Sequence, residues 1–382
     1  MSADFCRLAG NLDWDDEHNM DQSIDTDALR ISVAEVLQHE CDRETVLHHV
    51  ATGRGPMLSL WDKVVELGWL LLNIPEEHGG LGLGRAAIVP IYEELGRVAA
   101  PLPFLVTVLA AESIVRGAND EQKSQWLERI GLGAVATISP PAGVLEPTLS
   151  LTRDGSKVVL SGTAPGLLDA EAASLLLVLA RDKAGALFRV VVEPEDGAVL
   201  ETQNLWDRGH TVSSLRADQN LLPADRCFPT SVDSESELLA HAALGLAAES
   251  VGGAQGILDL TISYMKTREQ FGRPIGSFQA LKHRAADHSN RAEAASHLLR
   301  GASDLESSGS PDWRSEASAA KALACDTFAE IARDCIQLHG GIGFTAEQAC
   351  HLYLKRANLN AQLFGDQGQH LDIATSHLMA RR

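Results

Sequence analysis

Hydrophobic and polar residues alternate with two different periods along this chain of 382 residues. In the first third and in the last third, apolar residues recur every three to four positions, which is the spacing of an amphipathic helix. In the middle third, short runs of β-forming residues such as KVVLSG and LFRVVVE are separated by Gly, Asp and Pro, as in strands that are joined by turns. The pattern predicts helices, then strands, then helices again.

The boundaries of these three parts follow from the same pattern. Helical periodicity begins at Asp27 and continues to about Gly131, and the β-forming runs between residues 133 and 232 predict a small antiparallel barrel or sandwich. Ala and Leu seams in the last third predict a bundle of four long helices, at residues 237–270, 276–306, 312–338 and 346–362. We therefore expect an α+β protein with an N-terminal helical domain, a middle β domain and a C-terminal four-helix bundle, at residues 26–132, 133–232 and 233–382.

Composition and charge narrow the class of protein. The formal net charge is −20, which argues against nucleic acid and anionic membranes as partners because both attract basic surfaces. No apolar run is long enough to span a bilayer, and the N-terminus lacks the pattern of a signal peptide. The six cysteines show no CxxC and no metal-ligand spacing. We expect a soluble cytoplasmic protein with reduced thiols, preceded by a flexible acidic tail at residues 1–25.

The stretch from Tyr264 to His288 carries the densest set of candidate binding residues. Just before a Gly-x-Pro-Ile-Gly bend stand Arg268, Gln270 and Phe271, which are a permanent cation, an amide and an aromatic ring at the end of one predicted helix. Arginine suits bidentate contact with a phosphate, and phenylalanine offers a plane for a ring. An arginine in such a position, taken alone, is equally consistent with a solvated helix end.

Two glycine-rich loops lie far from that bend. The loop at His78 to Gly84 lacks the Lys-Ser/Thr pair and the preceding strand of a phosphate-binding P-loop. The loop Gln337 to Phe344 separates two predicted helices, and its clustered glycines would let a backbone approach a ligand closely. In isolation, that second loop is also consistent with an ordinary helix cap and turn.

Together, these motifs closely resemble those of the acyl-CoA dehydrogenases. The matching features are a Tyr followed by Arg-x-Gln-Phe-Gly-x-Pro-Ile, Phe-Gln and Lys; an early Gly-Trp, Pro-Glu-x-x-Gly-Gly, Glu-Glu-Leu-Gly-Arg and Pro-x-Pro; and a late Gln-x-x-Gly-Gly-x-Gly. The resemblance implies FAD as the cofactor, α,β-dehydrogenation of an acyl-CoA thioester, and an electron-transfer flavoprotein or a similar acceptor. It also implies that six residues contact the FAD of a neighbouring subunit across a dimer interface: Arg268, Gln270, Phe271, Gln337, Gly340 and Gly341.

The middle domain departs from the family at the positions that would face its own flavin. Family members commonly carry Thr-Glu-Pro followed by Gly-Ser-Asp, whereas this chain reads Ser139-Pro-Pro-Ala-Gly-Val144. Where the family has an aromatic residue followed by Ile-Thr or Ile-Ser, Gly166 replaces the aromatic residue and Leu168 replaces the hydroxyl residue. The resemblance therefore implies that part of this chain's own flavin groove has been lost.

The catalytic base of the family is also missing from its usual place. Most members have a Glu after an aromatic residue in the turn that follows the last long helix, and here Gly365 occupies that position. Asp366 is one residue later and one methylene shorter, and it remains the best candidate base. Some members carry the base on the first bundle helix, at a position that falls near Ala242; Glu249 lies about two turns further on, given a rise of ~1.5 Å per residue.

Other kinds of site have weaker support. His283 and Asp287 lie one helical turn apart but have no third partner, so we propose no metal site. No G-x-S-x-G motif is present. Three hypotheses remain: a homo-oligomeric dehydrogenase with an unusual base; a degenerate subunit that completes the FAD site of a second acyl-CoA dehydrogenase subunit in an α2β2 heterotetramer, in the setting of steroid side-chain or other bulky acyl-CoA breakdown; and a non-catalytic scaffold of the same fold.

Overall fold

The computed structural model describes residues 26–380, so the predicted acidic tail lies outside the described part of the chain. The first part is helical, as the periodicity predicts. Its helices are α1 Thr26–Glu40, α2 Arg43–Thr52, α3 Leu58–Glu66, α4 Val89–Arg97, α5 Phe104–Gly117 and α6 Asp120–Gly131. The last of these shows how the local sequence sets a boundary, because Asn119 and Gln122 form a reciprocal capping box at its start.

The middle part is a sheet of eight strands. The strands are β1 Ala136–Ile138, β2 Leu149–Asp154, β3 Lys157–Leu168, β4 Leu175–Asp182, β5 Leu187–Val192, β6 Val199–Asn204, β7 Thr211–Pro223 and β8 Cys227–Thr230. Their order in the sheet is β6-β7-β3-β2-β4-β5-β8, with β1 paired to β4. Most pairings are antiparallel, as expected, but β4 runs parallel to both β1 and β2. The parallel pairing with β2 arises because β3 returns along the opposite edge of that strand.

The last part contains five helices, one more than the sequence pattern predicts. They are α7 Val232–Thr267, α8 Gln279–Ser307, α9 Trp313–His339, α10 Cys350–Gln362 and α11 Gln367–Ala380. The additional helix α11 has a weak apolar pattern, because it buries His370 and Ala374 but leaves Leu371 and Leu378 exposed. A two-stranded hairpin, β9 Glu269–Gln270 and β10 Arg273–Pro274, connects α7 to α8.

Helix α7 also begins five residues earlier than predicted. The Ser231 side chain accepts a hydrogen bond from the Ser234 backbone N–H, which caps the helix before the acidic run 233–237. The other end of α7 stops at Thr267 because Arg268 adopts extended backbone angles. In this way the helix delivers the predicted binding residues to its own terminus.

Helices α4 and α7 approach so closely that glycine is required between them. A Cβ atom on Gly252 would lie 1.8 Å from the Glu93 carbonyl oxygen, and one on Gly256 would lie 2.1 Å from the Arg97 carbonyl oxygen. Contacts this short are impossible for any other residue. The close packing fixes the N-terminal helices against the bundle.

Two general expectations bear on the described residues. The five cysteines among them are free and buried, as the composition predicts. Burial raises the pKa of Cys41 to about 12, so that thiol stays protonated. Within residues 26–380, no helix combines the length and the apolar character needed to cross a bilayer.

Candidate flavin site

The first group of predicted site residues lies on the hairpin after α7. Arg273 pairs with Gln270 and Pro274 pairs with Glu269 in antiparallel register, and the turn between them is Phe271-Gly272, with φ angles of 53° and 77°. A positive φ is uncommon for a phenylalanine and marks a tightly constrained turn. The hairpin holds the Phe271 side chain out from the surface, where 93% of the residue is exposed.

The hairpin is supported from behind by Phe278. The guanidinium of Arg273 lies 4.1 Å from the centroid of the Phe278 ring, and Phe271 meets the same ring edge-on at 6.2 Å. Such cation–π and edge-to-face contacts each contribute about 0.5–1.5 kcal/mol. Among the described residues, no carboxylate pairs with Arg268, so its guanidinium is available for an external anion.

The second group lies in the loop that follows α9. Residues 340–344 form a short turn that begins with Gly340 at φ 64°, and Gln337 is exposed just before it. A Cβ atom on Gly340 or Gly341 would meet nothing within 4 Å, whereas one on Gly343 would lie 2.5 Å from the Ile336 carbonyl oxygen. Gly343 therefore serves the packing of the chain itself, and the other two leave their backbone open to an approaching group.

Both groups lie at the same end of the bundle. Tyr264, one turn before Arg268, contacts His339, the residue before Gly340. We call this surface the exposed end; it comprises the six residues that the resemblance implies for FAD contact, namely Arg268, Gln270, Phe271, Gln337, Gly340 and Gly341. An open cleft of about 580 Å³ between α8 and α9 reaches the same surface at Gln337 and Phe344.

The positions that would hold a flavin within this chain are arranged differently. Gly166 has φ 78°, and a Cβ atom there would lie 2.9 Å from Cγ of Pro140 and 3.6 Å from Cδ1 of Leu145. No room remains for the aromatic side chain of the family. Leu168 is buried in the main hydrophobic core instead of facing a groove.

Ser139, which begins the other divergent segment, is also committed to the interior. Its hydroxyl accepts hydrogen bonds from the Leu179 backbone N–H at 2.9 Å and from Nη1 of Arg189 at 3.1 Å. Arg189 in turn forms a fully buried bidentate ion pair with Glu235. A hydroxyl so engaged has little capacity left for a ligand.

Between the sheet and the last helices lies a buried cluster of charges that the sequence analysis did not identify. Nε of Arg356 donates to Asp207 at 2.8 Å, and Nη1 donates to Glu249 at 2.9 Å and to the Ala100 carbonyl at 3.0 Å. The closest indication in the sequence was Glu249 itself, a carboxylate on an otherwise apolar stretch of α7. Such a residue requires a cation, although the sequence does not show which one.

The protonation states of this cluster follow from its geometry. Burial raises the pKa of Asp207, but the charge of Arg356 and hydrogen bonds from Arg356 and Gly209 outweigh it and hold the pKa below its ordinary value. Burial lowers the pKa of Arg356, and the two carboxylates more than reverse that effect. Asp207 and Arg356 therefore stay charged, and Arg356 pairs with both Asp207 and Glu249.

The space around the cluster is almost filled. A cavity of only about 20 Å³ remains, with Tyr92, Leu168, Glu249 and Leu363 among its lining residues. We call this contact between the sheet and the last helices the closed seam. A single water needs about 10–15 Å³ of such volume, so the closed seam has no room for an aromatic ring system.

A second cavity of about 20 Å³ lies on the other side of Tyr92, between α4, α5 and α7. Tyr92 and Leu105 press against Gly245, where a Cβ atom would lie 2.7 Å from Cδ1 of Leu105. Behind them, Arg85 pairs with the buried carboxylate of Glu112. This cavity between the described helices is therefore too small for an acyl chain.

The turn that carries the family's base position is fixed from two sides. Nζ of the buried Lys321 donates to the Gly365 carbonyl at 2.5 Å, and Nε2 of the buried His370 donates to the Phe364 carbonyl at 2.9 Å. Gly365 has φ 98°, and a Cβ atom there would lie 3.1 Å from Nε2 of His370. The packing of this turn therefore favours a residue without a side chain at position 365.

The candidate bases have defined places in this arrangement. Asp366 is exposed and caps α11: its Oδ1 accepts from the Gln369 backbone N–H at 2.9 Å, and Oε1 of Gln369 accepts from the Asp366 N–H at 3.1 Å. Ala242 is fully buried in the core, and Glu249 is paired with Arg356. None of the three positions presents a free carboxylate to an internal cavity.

Comparisons with known proteins bear on this arrangement. Residues 23–134 match the family model described as acyl-CoA dehydrogenase, N-terminal domain, and residues 233–379 match the one described as acyl-CoA dehydrogenase, C-terminal domain. The chain is 33% identical over 336 residues to the acyl-CoA dehydrogenase IpdE2 of Mycobacterium tuberculosis, which covers 88% of this chain and 91% of that protein. It is 30% identical over 355 residues to IpdE2 of Mycolicibacterium smegmatis, with 91% and 97% covered.

A solved structure shows the same fold. A variant of the Tcur3481-Tcur3483 steroid ACAD superposes on this chain with a TM-score of 0.82 and 28% identity, and the match covers 93% of this chain and 98% of the other. The likeness extends over the helical parts and the sheet between them.

Proposed function

The chain belongs to the acyl-CoA dehydrogenase family, and we propose that it acts as the flavin-completing subunit of a heteromeric enzyme. In this proposal it supplies the exposed end to an FAD that is seated mainly in a second acyl-CoA dehydrogenase subunit. The enzyme is a flavin-dependent oxidoreductase that acts on an acyl-CoA thioester. When bound, FAD supplies the acceptor for the hydride that leaves the β-carbon.

Each residue of the exposed end suits a different part of the cofactor. The guanidinium of Arg268 has no carboxylate partner within residues 26–380 and suits a phosphate oxygen, and Phe271 presents an aromatic face to the surroundings. Gln270 is exposed; within the described part of the chain its amide nitrogen donates to the neighbouring Glu269 carbonyl, and its amide oxygen accepts no hydrogen bond. Gly340 and Gly341 leave the backbone uncovered for close approach.

The observation that carries the proposal is the contrast between the exposed end and the closed seam. Five of the six residues that would serve a neighbour's flavin are exposed, and Gly340 is half-buried. Of the positions that would serve the chain's own flavin, Ser139 and Leu168 are buried, and Pro140 lies against the half-buried Gly166. Loss of cofactor binding by random substitution would not be expected to spare only the outward-facing half. The contrast favours a subunit that completes a partner's site.

The proposed assembly is an α2β2 heterotetramer. The name of the Tcur3481-Tcur3483 steroid ACAD joins two components, and the same arrangement would supply this chain with a partner that has a complete flavin wall and a glutamate base. The acyl-CoA would then be bound and deprotonated in the partner subunit. A steroid side chain or a similarly bulky acyl group is the substrate class that we propose, with an electron-transfer flavoprotein or a similar protein as the electron acceptor.

The decisive experiment is an absorption spectrum of the purified chain, alone and after co-expression with the adjacent dehydrogenase gene. We expect no flavin band from the chain alone and one FAD per heterodimer from the complex. Stoichiometric FAD in the chain alone, together with acyl-CoA-dependent dye reduction, would contradict the proposal and favour a complete homo-oligomeric enzyme. A complex without any flavin would favour the scaffold hypothesis.

The role of the exposed end can be tested separately by replacing Arg268 with Ala in the complex. Removing a charge-assisted hydrogen bond to a phosphate costs about 1.5–3 kcal/mol, so we expect FAD to be retained about 10- to 100-fold less tightly. Arg216→Ala is the matched control, because Arg216 is exposed on the sheet and pairs only with the exposed Glu201. Equal flavin retention in the two variants would exclude Arg268 from the site.

A further inference from the structure

The two segments of the exposed end are linked by one aromatic contact. The ring of Tyr264 on α7 stacks on the imidazole of His339 on α9, with 4.5 Å between the ring centroids and 19° between the ring planes. The Tyr264 hydroxyl also donates to the His339 carbonyl oxygen at 3.4 Å. No other stacked ring pair within residues 26–380 lies at this end of the bundle.

The imidazole of His339 is held in one orientation. Nδ1 lies 2.8 Å from the Cys335 carbonyl oxygen, and because a carbonyl can only accept, Nδ1 must carry the proton. Nε2 is buried and has no hydrogen-bond partner among the residues that the structure describes, and burial lowers the pKa of His339. The ring therefore stays neutral and presents a fixed flat face to Tyr264.

Each member of the stack is connected to one of the two segments of the exposed end, Tyr264 to the hairpin and His339 to the glycine loop. The Arg268 backbone N–H donates to the Tyr264 carbonyl at 2.8 Å, so the hairpin starts one helical turn from the ring. Gly340 follows His339 directly, and its N–H donates to the Gln337 carbonyl. A displacement of either ring would move the hairpin relative to the glycine loop.

A second stack between the same two helices provides an internal comparison. His241 on α7 stacks on Trp313 on α9, with centroids 4.7 Å apart and planes inclined by 16°. That pair lies near the start of both helices, about 39 Å from His339 along α9 at ~1.5 Å per residue. It packs α7 against α9 but adjoins neither the hairpin nor the glycine loop.

We propose that Tyr264 and His339 are a positioning pair that sets the hairpin and the glycine loop at the spacing required to contact a single FAD. The inference rests on the proposed function, since it concerns how the exposed end holds the partner's cofactor. It accounts for a surface that is exposed and yet pre-organised. Pre-organisation matters here because ordering two separate loops on binding would reduce the affinity for FAD.

The test compares Tyr264→Leu, Tyr264→Phe and Trp313→Leu in the complex, with two measurements on each variant. The first is the dissociation constant of FAD, and the second is hydrogen exchange of the backbone amides at residues 340–344. We expect Tyr264→Leu to weaken FAD binding about threefold to tenfold and to speed exchange in the loop. Tyr264→Phe keeps the stacked ring and should restore both values.

Trp313→Leu separates positioning from general stability. It removes an equivalent stack between the same helices, so it should lower the melting temperature without changing FAD affinity or loop exchange. If Tyr264→Leu changes neither measurement while Arg268→Ala still releases FAD, the positioning pair is refuted and the proposed function stands. If Arg268→Ala retains FAD, the flavin role of the exposed end is refuted and the positioning pair is refuted with it, even if Tyr264→Leu speeds loop exchange.

Discussion

The exposed end and the closed seam differ in which side chains they expose and which they bury. The exposed end places a cation, an aromatic ring and uncovered glycine backbone at the surface, where Phe271 buries little apolar area beyond its edge-on contact with Phe278. The closed seam buries charges and fills the remaining space with Leu and Tyr side chains. Under the proposed function, the exposed end serves the FAD of a partner, and the closed seam serves the folding of this chain.

Under the proposed function, the same contrast would explain how a binding groove can be lost without loss of the fold. Where a cofactor leaves a groove, the protein must satisfy the exposed polar groups and fill the volume. Here the Asp207–Arg356–Glu249 cluster supplies the charge pairing, and Pro140 lies against Gly166 where an aromatic side chain would need space. The closed seam has become part of the core.

The largest effect is expected from removing the cation of the closed seam. Arg356→Met leaves the buried Asp207 and the partly buried Glu249 without their cation, and breaking a buried ion pair typically costs about 3–5 kcal/mol. Denaturant unfolding at neutral pH measures this loss. Arg216→Met removes an exposed pair and should cost about 0–1 kcal/mol. Similar small losses in both variants would mean that the seam admits water, as a flavin groove would.

The next effect concerns the missing aromatic wall. Gly166→Trp forces a large side chain against Pro140 at a positive φ angle, so we expect the free energy of unfolding to fall by about 2–4 kcal/mol. Gly185→Trp is the control, because Gly185 has φ 88° but nothing within 4 Å of an added Cβ. If Gly166→Trp were no worse than the control and the chain then bound FAD by itself, the groove would be latent, not lost.

A smaller effect should appear as a pH dependence of stability. Burial and the charge of Lys321 lower the pKa of His370 to about 4, whereas the unfolded chain has a value near 6.5. Between about pH 6.5 and pH 4 the unfolded state therefore binds more protons, and stability falls as the pH falls, by up to about 3 kcal/mol.

The matched variant for this prediction is His370→Gln, whose amide can still donate to the Phe364 carbonyl. Denaturant unfolding at several pH values should show a shallower acid slope for this variant than for the wild type. His297→Gln, at an exposed position on α8, should keep the wild-type slope. Parallel slopes in all three proteins would show that the turn at Gly365 is open to solvent.

The sequence was informative where function depends on local order. Arg268, Gln270 and Phe271 stand within four residues, so the bend could be recognised from its motif, although the helix was predicted to run to residue 270 and the hairpin was not predicted. The substitutions at Gly166 and Gly365 were visible because each replaces a single expected residue. Whether the six residues of the exposed end hold FAD stays a prediction. The structure confirms the predicted fold class. That class could be predicted because helical and strand periodicities are strong over long segments.

Pairings between residues far apart in the chain could not be predicted from the sequence. Arg356 joins Asp207 and Glu249 from 149 and 107 residues away, and Tyr264 meets His339 across 75 residues. Periodicity describes one element at a time and does not say which buried charges or rings will meet. One signal was available: the small residues Gly252, Gly253 and Gly256 on one predicted helix indicate a close helix contact.

The smallest effect is expected at Asp366. The alternative hypothesis, a complete enzyme with its own catalytic base, would require the largest effect at this residue. Asp366→Asn keeps a good helix-capping acceptor for the Gln369 N–H, so stability and the turnover of the complex should both stay close to the wild type. If Asp366 were the catalytic base, the same substitution would lower turnover about 10²- to 10⁴-fold without a change in melting temperature. Asp366→Ala calibrates the stability measurement, because loss of the cap should cost about 1 kcal/mol. Acyl-CoA-dependent dye reduction by the complex thus distinguishes a helix cap in a subunit that completes its partner's site from a base in a complete enzyme.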